Sequence, residues 1–175
     1  MDEQQKDTVV RVEKLPDEVF AELVKMEEEL FPEHLRADEE EIRELFEDPE
    51  NVHIIAFDPE GRVAGYILSE KHNKVREELK DADPNMEEIG DALYLSSIAI
   101  KSEHQGKGYF SKLMKKFLEH RGGKPVSMHS RTSNESHKKM QKYGATSIRS
   151  IEDWHGSGEP FDYLIIPGED SPKES

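Results

Sequence analysis

The 175-residue sequence contains no cysteine. This absence excludes disulfides, thiolate metal sites and a cysteine nucleophile, and it fits a reducing compartment, so we expect a cytoplasmic protein. No run approaches the ~18 apolar residues of a membrane span, and the first seven residues do not resemble a signal peptide, so no membrane partner is expected. The eight histidines form no HxxxH-like pair on a predicted helix. We therefore expect no metal site.

Two common phosphate-binding motifs are also missing. There is no GxxxxGK[ST] sequence, and a GxGxxG fingerprint would need a glycine where Ser111 stands. The chain has Gln105-Gly106-Lys107-Gly108 between an alternating strand and an amphipathic helix. Glycines let backbone N–H groups turn toward an anion, and the following helix directs its positive end to the same place. The pattern predicts a phosphate-binding loop.

The elements on either side of this loop are well defined by their apolar periodicity. The helix has apolar residues at i, i+3, i+4, i+7 and i+8 and lysines on the opposite face; the apolar set is Phe110, Leu113, Met114, Phe117 and Leu118. In the strand before the loop, the apolar positions shift parity between Leu95 and Ile98. A bulge at Ser96-Ser97 would restore one face.

Charge is distributed unevenly along the chain. The net charge is −15, but residues 101–150 carry 12 basic and 3 acidic groups, whereas residues 1–50 carry 6 basic and 19 acidic groups. The basic segment contains the predicted phosphate loop, and its lysines either attract a phosphorylated ligand or solvate two helix faces. So acidic a chain is a poor partner for nucleic acid, and we expect none.

The order of elements predicts a mixed α/β fold in one domain over residues 1–167, with a flexible tail over 168–175. Signals for helices are Pro16-Asp17-Glu18 with a stop at Pro32, and an Asp38/Glu41 capping box for a helix through Phe46. The long charged segment 71–91 is typical of a lid, a binding loop or a disordered insertion. The predicted strands are 7–15, 52–57, 62–70, 92–100, 125–131, 145–153 and 161–167.

The strand, the Q-x-x-G-x-G/A-like loop and the helix resemble the central signature of the GNAT superfamily of acyl-CoA-dependent N-acyltransferases, with the core motif over residues 92–145. Phe110 stands at the last small position of the loop motif. A second motif of that family, a helix with Asn near its start and Gly at its end, is similar to the segment from Asn134 to Gly144. Met140 occupies the place where the family often has a tyrosine general acid. Residues 154–160 resemble the hairpin that closes this fold.

The resemblance implies a central, mostly antiparallel sheet with a bulged strand, flanking helices, and acetyl-CoA as acyl donor to a primary amine by direct attack. A longer acyl-CoA, or an acyl-CoA-binding module with little or no turnover, is the alternative. The protein is expected to be a monomer or a homodimer. The residues that the resemblance assigns to the coenzyme are Ile98, Ala99, Ile100, Gln105, Gly106, Lys107, Gly108, Tyr109, Phe110, Ser111 and Asn134.

Catalysis needs a neutral amine, so a group must accept its proton. Many members of the family carry a glutamate or histidine on the bulged strand, where this chain has Tyr94 and Ser96. Glu70 at the end of the preceding strand and His129 on the strand after the glycine-loop helix are the candidate bases, against the simpler interpretations of a solvated strand end and a half-buried histidine. Tyr143 is the candidate acid, and water is an alternative.

In the resembled family, the first two helices, the strands beside the bulge and the final hairpin border the acceptor. Those segments are acidic here, and Trp154 within the last of them has a ring that can face a cation. A cationic acceptor, either a polyamine or a lysine-like amine, is therefore predicted, with generic acidic solubility as the alternative. The acidic residues concerned are Glu33, Asp38, Glu39, Glu40, Glu41, Glu152, Asp153, Glu159 and Asp162.

Overall fold

The structure of the protein is a computed structural model that describes residues 7–33, 35–132, 135–154 and 158–169, with the backbone only at Glu135 and Ser136. It contains seven strands and five α-helices within these residues. The strands are β1 Thr8–Arg11, β2 Ile54–Phe57, β3 Val63–Lys71, β4 Leu93–Ile100, β5 Val126–Arg131, β6 Thr146–Ile151 and β7 Phe161–Ile166. The helices are α1 Asp17–Leu30, α2 Glu39–Leu45, α3 His72–Glu78, α4 Tyr109–His120 and α5 Glu135–Gln141.

The strands form one seven-stranded sheet in the order β1-β2-β3-β4-β5-β7-β6. Strands β4 and β5 pair in parallel, while the β1–β2, β2–β3, β5–β7 and β6–β7 pairs are antiparallel. A mixed, mostly antiparallel sheet with flanking helices is the predicted fold class, which is confirmed. No helix among the described residues is long and apolar enough to cross a membrane.

The chain divides into two compact units, one made of residues 1–69 and 96–122 and the other of residues 70–95 and 123–175. The boundaries fall within β3 and β4, which each contribute residues to both units. The expectation of a single domain over residues 1–167 stays a prediction.

The core of the first unit forms around α1. This helix begins after Pro16, whose fixed φ suits a helix start, and ends before Phe31 and Pro32, as predicted. Its apolar face packs on the inner faces of β2, β3 and β4, and burying several such side chains contributes roughly 1.5–3 kcal/mol each. The buried members of this core are Leu23, Met26, Ile42, Leu45, Ile55, Val63, Tyr66, Leu68 and Ala99.

Two local predictions in this unit are confirmed by their hydrogen bonds: the capping box, and the turn over residues 58–61 that separates the predicted strands 52–57 and 62–70. Asp38 accepts from the Glu41 backbone N–H at 2.8 Å, and Glu41 Oε1 accepts from the Asp38 N–H at 3.2 Å, which together form the capping box of α2. The turn between β2 and β3 is closed by Asp58, whose carboxylate accepts from the N–H groups of Glu60 at 2.8 Å and Arg62 at 3.0 Å. Gly61 in this turn has φ +84°, which favours glycine.

The second unit is built on the antiparallel trio of β5, β7 and β6. Its buried core includes Tyr94 and Tyr163 with Val75 and Met86. Helix α5 is followed by Gly144 at φ +94°, the helix-terminating position that the sequence predicts. The predicted tail begins at Gly168 and Glu169, whose N–H donates to the Gly123 carbonyl at 2.9 Å, and residues 170–175 lie outside the described part.

The segment 71–91 is not a disordered insertion, whereas its predicted role as a lid or a binding loop stays a prediction. It contains α3 and a buried histidine, His72, whose Nε2 lies 2.8 Å from the Glu87 carbonyl and whose Nδ1 lies 2.5 Å from Ser127 Oγ. Asp83 is also buried, with 2% of its surface exposed. The helix was missed because most of its residues are polar or charged, so its apolar periodicity is weak.

Two smaller corrections concern element ends. Strand β1 covers only Thr8–Arg11 of the predicted 7–15. In α4 the buried face comprises Tyr109, Leu113, Met114 and Phe117, whereas Phe110 is half-buried. The buried face of α4 therefore begins at Tyr109, one residue before the predicted first apolar position, Phe110.

Candidate active site

The predicted phosphate loop lies in the first unit between β4 and α4. A short 3₁₀ turn over Ser102–His104 leads into it, and the Gln105 side-chain amide donates to the Ile100 carbonyl at 3.2 Å, which ties the loop to the end of the strand. Gly106 and Gly108 have φ +80° and +89°. Both lie in the left-handed region that favours glycine, so the predicted glycines fit the observed backbone.

The surface of this loop is open. The residues from Gln105 to Gly108 are exposed, and a Cβ built on Gly106 or Gly108 would meet no protein atom within 4 Å. Space beside a glycine backbone is what an anion needs to approach N–H groups closely. The loop therefore fits a phosphate-bearing ligand by its geometry as well as by its composition.

Helix α4 begins directly at this loop. Gly108 is its N-cap residue, and the first intrahelical hydrogen bond runs from the Lys112 N–H to the Gly108 carbonyl at 3.2 Å. The first turn of α4 contains no acidic residue, so the positive end of the helix dipole is not offset by a carboxylate in that turn. Lys107, exposed in the loop, adds a positive charge beside this helix end.

Asp7 adjoins this helix start. Its carboxylate accepts from the Tyr109 hydroxyl at 2.6 Å and from Lys112 Nζ at 2.8 Å. The hydrogen bonds from Lys112 and Tyr109 lower the pKa of Asp7, while burial and the bond to Asp7 raise the pKa of the Tyr109 phenol. The charge of Lys112 is thus partly neutralised by the protein, whereas the predicted role of Lys107 in phosphate binding stays a prediction.

The remaining residues assigned to the coenzyme follow the same stretch of chain. Ala99 is buried, Ile98 and Ile100 are half-buried on β4, Phe110 is half-buried and Ser111 is exposed. A Cβ on Gly65 of β3 would come within 2.8 Å of the Ala99 carbonyl, so the backbones of β3 and β4 approach closely there. The bulge at Ser96-Ser97 stays a prediction, and Asn134 lies outside the described residues.

A buried carboxylate, Glu27, was not identified from the sequence. Its Oε2 accepts from the hydroxyls of Tyr66 at 2.5 Å and Ser97 at 2.8 Å, and its Oε1 accepts from the Ala37 N–H at 2.8 Å. Burial and the neighbouring carboxylate raise the pKa of the Tyr66 phenol. Glu27 follows Leu23 by four residues on the apolar face of α1, and a charge at such a position is the sequence signal for it.

In the second unit, His129 lies at the centre of a hydrogen-bonded network. Its Nδ1 is 2.7 Å from the Tyr94 hydroxyl and its Nε2 is 2.8 Å from Asp83 Oδ2. The ring stacks on Trp154 with 4.2 Å between centroids. Arg149 in turn donates to both oxygens of Asp83 at 2.6 Å. Both ring nitrogens of His129 therefore face a polar partner of defined chemistry.

The electrostatics of this network keep Asp83 ionised and Tyr94 protonated. Although burial raises the pKa of Asp83, the hydrogen bonds from His129 and Arg149 bring it down to about 2. Burial and the Glu70 carboxylate raise the pKa of the Tyr94 phenol. Burial raises the pKa of Tyr163, whose ring centroid lies 4.9 Å from that of His129, to about 12.

The other candidate catalytic residues are less closely connected. Glu70 is a half-buried residue near the end of β3 and forms an ion pair with Lys74 at 3.7 Å. Ser96 is exposed on β4, and Tyr143 is half-buried after α5, where its N–H donates to the Met140 carbonyl at 2.9 Å. His129 is hydrogen-bonded to Tyr94, and the Glu70 carboxylate raises the pKa of the Tyr94 phenol. The catalytic roles of all these residues stay predictions.

Two acidic residues near the final hairpin are engaged within the protein. Asp162 is buried and accepts from Thr132 Oγ1 at 3.1 Å and Ser150 Oγ at 2.5 Å, and Glu159 forms an ion pair with Arg131 at 3.4 Å. Trp154 is 5% exposed and lies between the rings of His129 and Phe161. The prediction that its ring faces an external cation is not supported, because Trp154 is buried and already stacks on these two rings. Residues 155–157 of the hairpin lie outside the described residues.

Asp83 and Arg149 are functional candidates that sequence reasoning missed. They lie 66 positions apart, and each looks like an ordinary charged surface residue in the sequence. In the part of the chain that the structure describes, no group of three or more His, Asp or Glu side chains is arranged to hold a metal ion.

The fold is similar to solved acetyltransferases. The ribosomal-protein-S18-alanine N-acetyltransferase from Escherichia coli matches with a TM-score of 0.69 at 13% identity, over 97% of this chain and 98% of that chain. NAA60 from Arabidopsis thaliana, solved with acetyl-CoA, matches with a TM-score of 0.70 at 12% identity, over 91% and 97%. A GNAT-like decarboxylase, GphF, solved with isobutyryl-CoA, matches with a TM-score of 0.67 at 15% identity, over 91% and 98%. At these identities the likeness shows the fold.

The family assignment comes from the sequence itself. No curated protein sequence matches the chain. The model of the acetyltransferase (GNAT) family matches residues 18–144, which include the glycine loop, α4 and most of the strands. The chain therefore belongs to the GNAT acetyltransferase family.

Proposed function

We propose that this protein is an N-acetyltransferase that moves the acetyl group of acetyl-CoA to a primary amine by direct attack. The observation that carries the proposal is the exposed glycine loop at the positive end of α4, with Gly106 at φ +80° and Gly108 at φ +89°. Its backbone would hold the pyrophosphate, and Lys107 would add a positive charge beside it. The matched family supports acyl transfer in general, and the amine is our inference.

The chemistry requires little beyond positioning and proton transfer. The amine nitrogen forms a bond to the thioester carbonyl carbon, the carbon–sulfur bond breaks, and the leaving thiolate takes up the proton that the nitrogen loses as it becomes an amide. The amine must first lose a proton, and for a lysine-like amine with a pKa of ~10.4 this costs roughly 4–5 kcal/mol at pH 7. The protein contributes by binding the thioester and accepting that proton.

We assign proton acceptance to His129, acting through the hydroxyl of Tyr94. The 2.7 Å contact between them supports this assignment. The phenol would pass its own proton to His129 Nδ1 while its oxygen accepts one from the amine, so the phenol is never ionised. Glu70 is the alternative base, supported by its electrostatic effect on Tyr94.

The acceptor is proposed to be cationic. The exposed acidic residues Glu39, Glu40 and Glu41 of α2 support this choice, although Glu39 also pairs with Arg43. At the final hairpin, Asp162 and Glu159 are already paired within the protein. The similar fold from Escherichia coli is named for the alanine of ribosomal protein S18, so peptides with a terminal amine belong in the substrate screen beside polyamines and lysine analogues.

A second candidate function is binding or turnover of a different acyl-CoA. The similarity to a GNAT-like decarboxylase solved with isobutyryl-CoA supports this candidate. A module that binds acyl-CoA without transferring it is a third possibility, because Met140 occupies the family's usual tyrosine position. These candidates make different predictions in one assay.

The test is a free-thiol release assay with acetyl-CoA and a panel of polyamines, amino acids, aminoglycosides and peptides, combined with calorimetric titration of CoA. Amine-dependent thiol release with an acetylated product by mass spectrometry is expected. Release only from isobutyryl-CoA or other longer acyl-CoAs would replace acetyl by that donor. Tight CoA binding with no amine-dependent release across the panel would favour the binding module and contradict the proposed activity.

A further inference from the structure

A buried acidic residue that is distant in the sequence adjoins the histidine of the second unit. Asp83 Oδ2 lies 2.8 Å from His129 Nε2, and the side chains of both residues are 1% exposed. The opposite ring nitrogen, Nδ1, lies 2.7 Å from the Tyr94 hydroxyl. Asp83, His129 and Tyr94 therefore form a continuous hydrogen-bonded row.

The chemistry of the two neighbours fixes the ring's tautomer. An ionised carboxylate only accepts hydrogen bonds, so Nε2 must carry the hydrogen that points to Asp83. A neutral imidazole then has its lone pair on Nδ1, where it can accept from the Tyr94 hydroxyl. The order of donors is Tyr94 O–H to Nδ1, and Nε2–H to Asp83.

We propose that Asp83 is a positioning residue for proton transfer, holding His129 as the Nε2–H tautomer so that Nδ1 accepts the proton that Tyr94 passes on. The inference rests on the proposed function, since it concerns the same base. Without the carboxylate, the hydrogen could reside on Nδ1, and the lone pair would then face away from Tyr94.

Arg149 completes the arrangement. It donates to both Asp83 oxygens at 2.6 Å, and its guanidinium lies over the Tyr163 ring at 4.7 Å from the centroid. Its charge keeps the carboxylate ionised, consistent with the depressed pKa of Asp83. The groups that face the His129 ring are thus a phenol from β4, the Asp83 carboxylate, the Trp154 indole and a phenol from β7, with the guanidinium one contact further away.

The proton balance is simple. The protonated acceptor amine loses its first proton to the Tyr94 oxygen, the Tyr94 hydroxyl proton moves to Nδ1, and His129 becomes an imidazolium. After the nitrogen bonds to the carbonyl carbon, its second proton goes to the departing thiolate. Asp83 stays ionised and stabilises that cation through the Nε2–H bond. No proton moves to Asp83 and no other reactant is needed.

The experiment compares Asp83→Asn with Asp91→Asn. Asp91 lies near the end of the same segment, pairs with Lys124 at 3.4 Å and has a side chain that is 80% exposed, so its variant is a matched control. Arg149→Gln is the second variant, on a side chain that is 22% exposed, and it tests the same carboxylate if Asp83→Asn does not fold. Tautomers are assigned by nitrogen-15 NMR of the histidine rings, with His129→Gln identifying the His129 signals.

The wild type is expected to show the Nε2–H pattern for His129, and Asp83→Asn to shift it toward Nδ1–H. The kcat/KM of Asp83→Asn should fall about 10- to 100-fold, within the roughly 10²–10⁴ that a general base contributes. Its acidic limb in the pH profile should move to lower pH, because the imidazolium loses a neighbouring negative charge. Arg149→Gln should move that limb to higher pH, because a positive charge is lost. Asp91→Asn should match the wild type in both readouts.

An Asp83→Asn protein with the wild-type tautomer and an unshifted pH profile would overturn the positioning role, even if its stability and rate are lower. An Nδ1–H pattern in the wild type would also overturn it. Failure of the proposed function looks different: the wild type would release no thiol with any amine, while the NMR spectra would still report which nitrogen carries the hydrogen.

Discussion

The carboxylate of Glu27 on α1 accepts a hydrogen bond from the hydroxyl of Tyr66 on β3, with 2.5 Å between the two oxygens. Ser97 of β4 donates to the same carboxylate oxygen at 2.8 Å. One carboxylate therefore connects a helix to two adjacent strands of the first unit. A buried charge of this kind is tolerated only while its hydrogen bonds are complete.

Removing one donor from this cluster should destabilise the protein. We expect Tyr66→Phe to lower the free energy of unfolding by about 1–3 kcal/mol, because the buried carboxylate loses a hydrogen bond while the ring volume is kept. Chemical denaturation measures this change. Glu28→Gln, an exposed neighbour on α1, is the control and should change stability by less than about 0.5 kcal/mol. A Tyr66→Phe variant as stable as the wild type would show that this hydrogen bond makes no net contribution to the free energy of unfolding.

Gly108 and Gly61 provide a matched pair for testing the coenzyme loop. Both have a positive φ, +89° and +84°, and a Cβ on either would meet no atom within 4 Å. Alanine at each position should therefore cost a similar ~1–2 kcal/mol of stability. Only Gly108→Ala should weaken CoA binding, by about 1–3 kcal/mol, because its methyl group occupies the space where the pyrophosphate approaches the backbone. Calorimetric titration measures this, and equal CoA affinities in the two variants would remove the phosphate site from this loop.

The parts of the structure that the sequence predicted are those encoded by neighbouring residues. The loop from Gln105 to Gly108, the capping box of α2 and the turn at Gly61 each depend on contacts within a few positions, so the residue pattern carries the information. The same holds for α4, whose apolar spacing fixes its buried face to within one residue.

The parts that could not be predicted depend on long-range pairing of charged residues. Asp83 meets His129 across 46 positions and Arg149 across 66. A charge can be buried at low cost only when an opposite charge or a hydrogen-bond partner lies beside it, and no local sequence pattern identifies that distant partner. The burial of Trp154 was missed for a related reason, because the sequence does not show that aromatic rings from β5 and β7 stack on it.

The Glu70 alternative has its own test. If Glu70 accepts the amine proton, Glu70→Gln should lower the rate more at neutral pH than at high pH, where the amine is already neutral. The pH dependence of kcat/KM measures this difference. Glu77→Gln on α3, with a side chain that is 59% exposed, is the control. An unchanged profile shape for Glu70→Gln would leave His129 as the base.

Stability should fall on mild acidification because of His53. Its Nε2 lies 2.8 Å from the Leu45 carbonyl and its Nδ1 accepts from the Ser69 N–H, and burial lowers its pKa to about 4. Because the unfolded state with a pKa near 6.5 binds the proton first, this stability is present above about pH 6.5 and is lost as the pH falls toward 4. The full effect is roughly 3 kcal/mol.

Urea unfolding between pH 8 and pH 4.5 measures that slope. Burial also lowers the pKa of His72, so His53→Gln should flatten the slope without abolishing it. His120→Gln at the end of α4 removes a histidine that is not fully buried and should retain the wild-type slope. A His53→Gln protein whose stability depends on pH as steeply as the wild type would contradict the assignment.

The nature of the acceptor gives the last prediction. Of the acidic residues expected to attract a cation, Asp162 near the final hairpin is buried, whereas Glu39, Glu40 and Glu41 on α2 are exposed, although Glu39 pairs with Arg43. Electrostatic steering by such charges raises the rate at which a cationic substrate associates with the enzyme, and salt screens this effect. The kcat/KM for a polycationic amine should therefore fall steeply as salt rises, while kcat stays nearly constant.

A variant with Glu39→Gln and Glu40→Gln tests the same idea, because it leaves the Asp38–Glu41 capping box of α2 intact. It should lower kcat/KM for a polyamine and reduce the salt dependence, with little effect on an uncharged amine. Glu28→Gln combined with Glu29→Gln, on exposed positions of α1, removes the same charge elsewhere and tests whether net charge alone is responsible. If both pairs act equally, or if uncharged amines are better substrates at every salt concentration, the acidic residues of α2 serve solubility and the cationic acceptor is wrong.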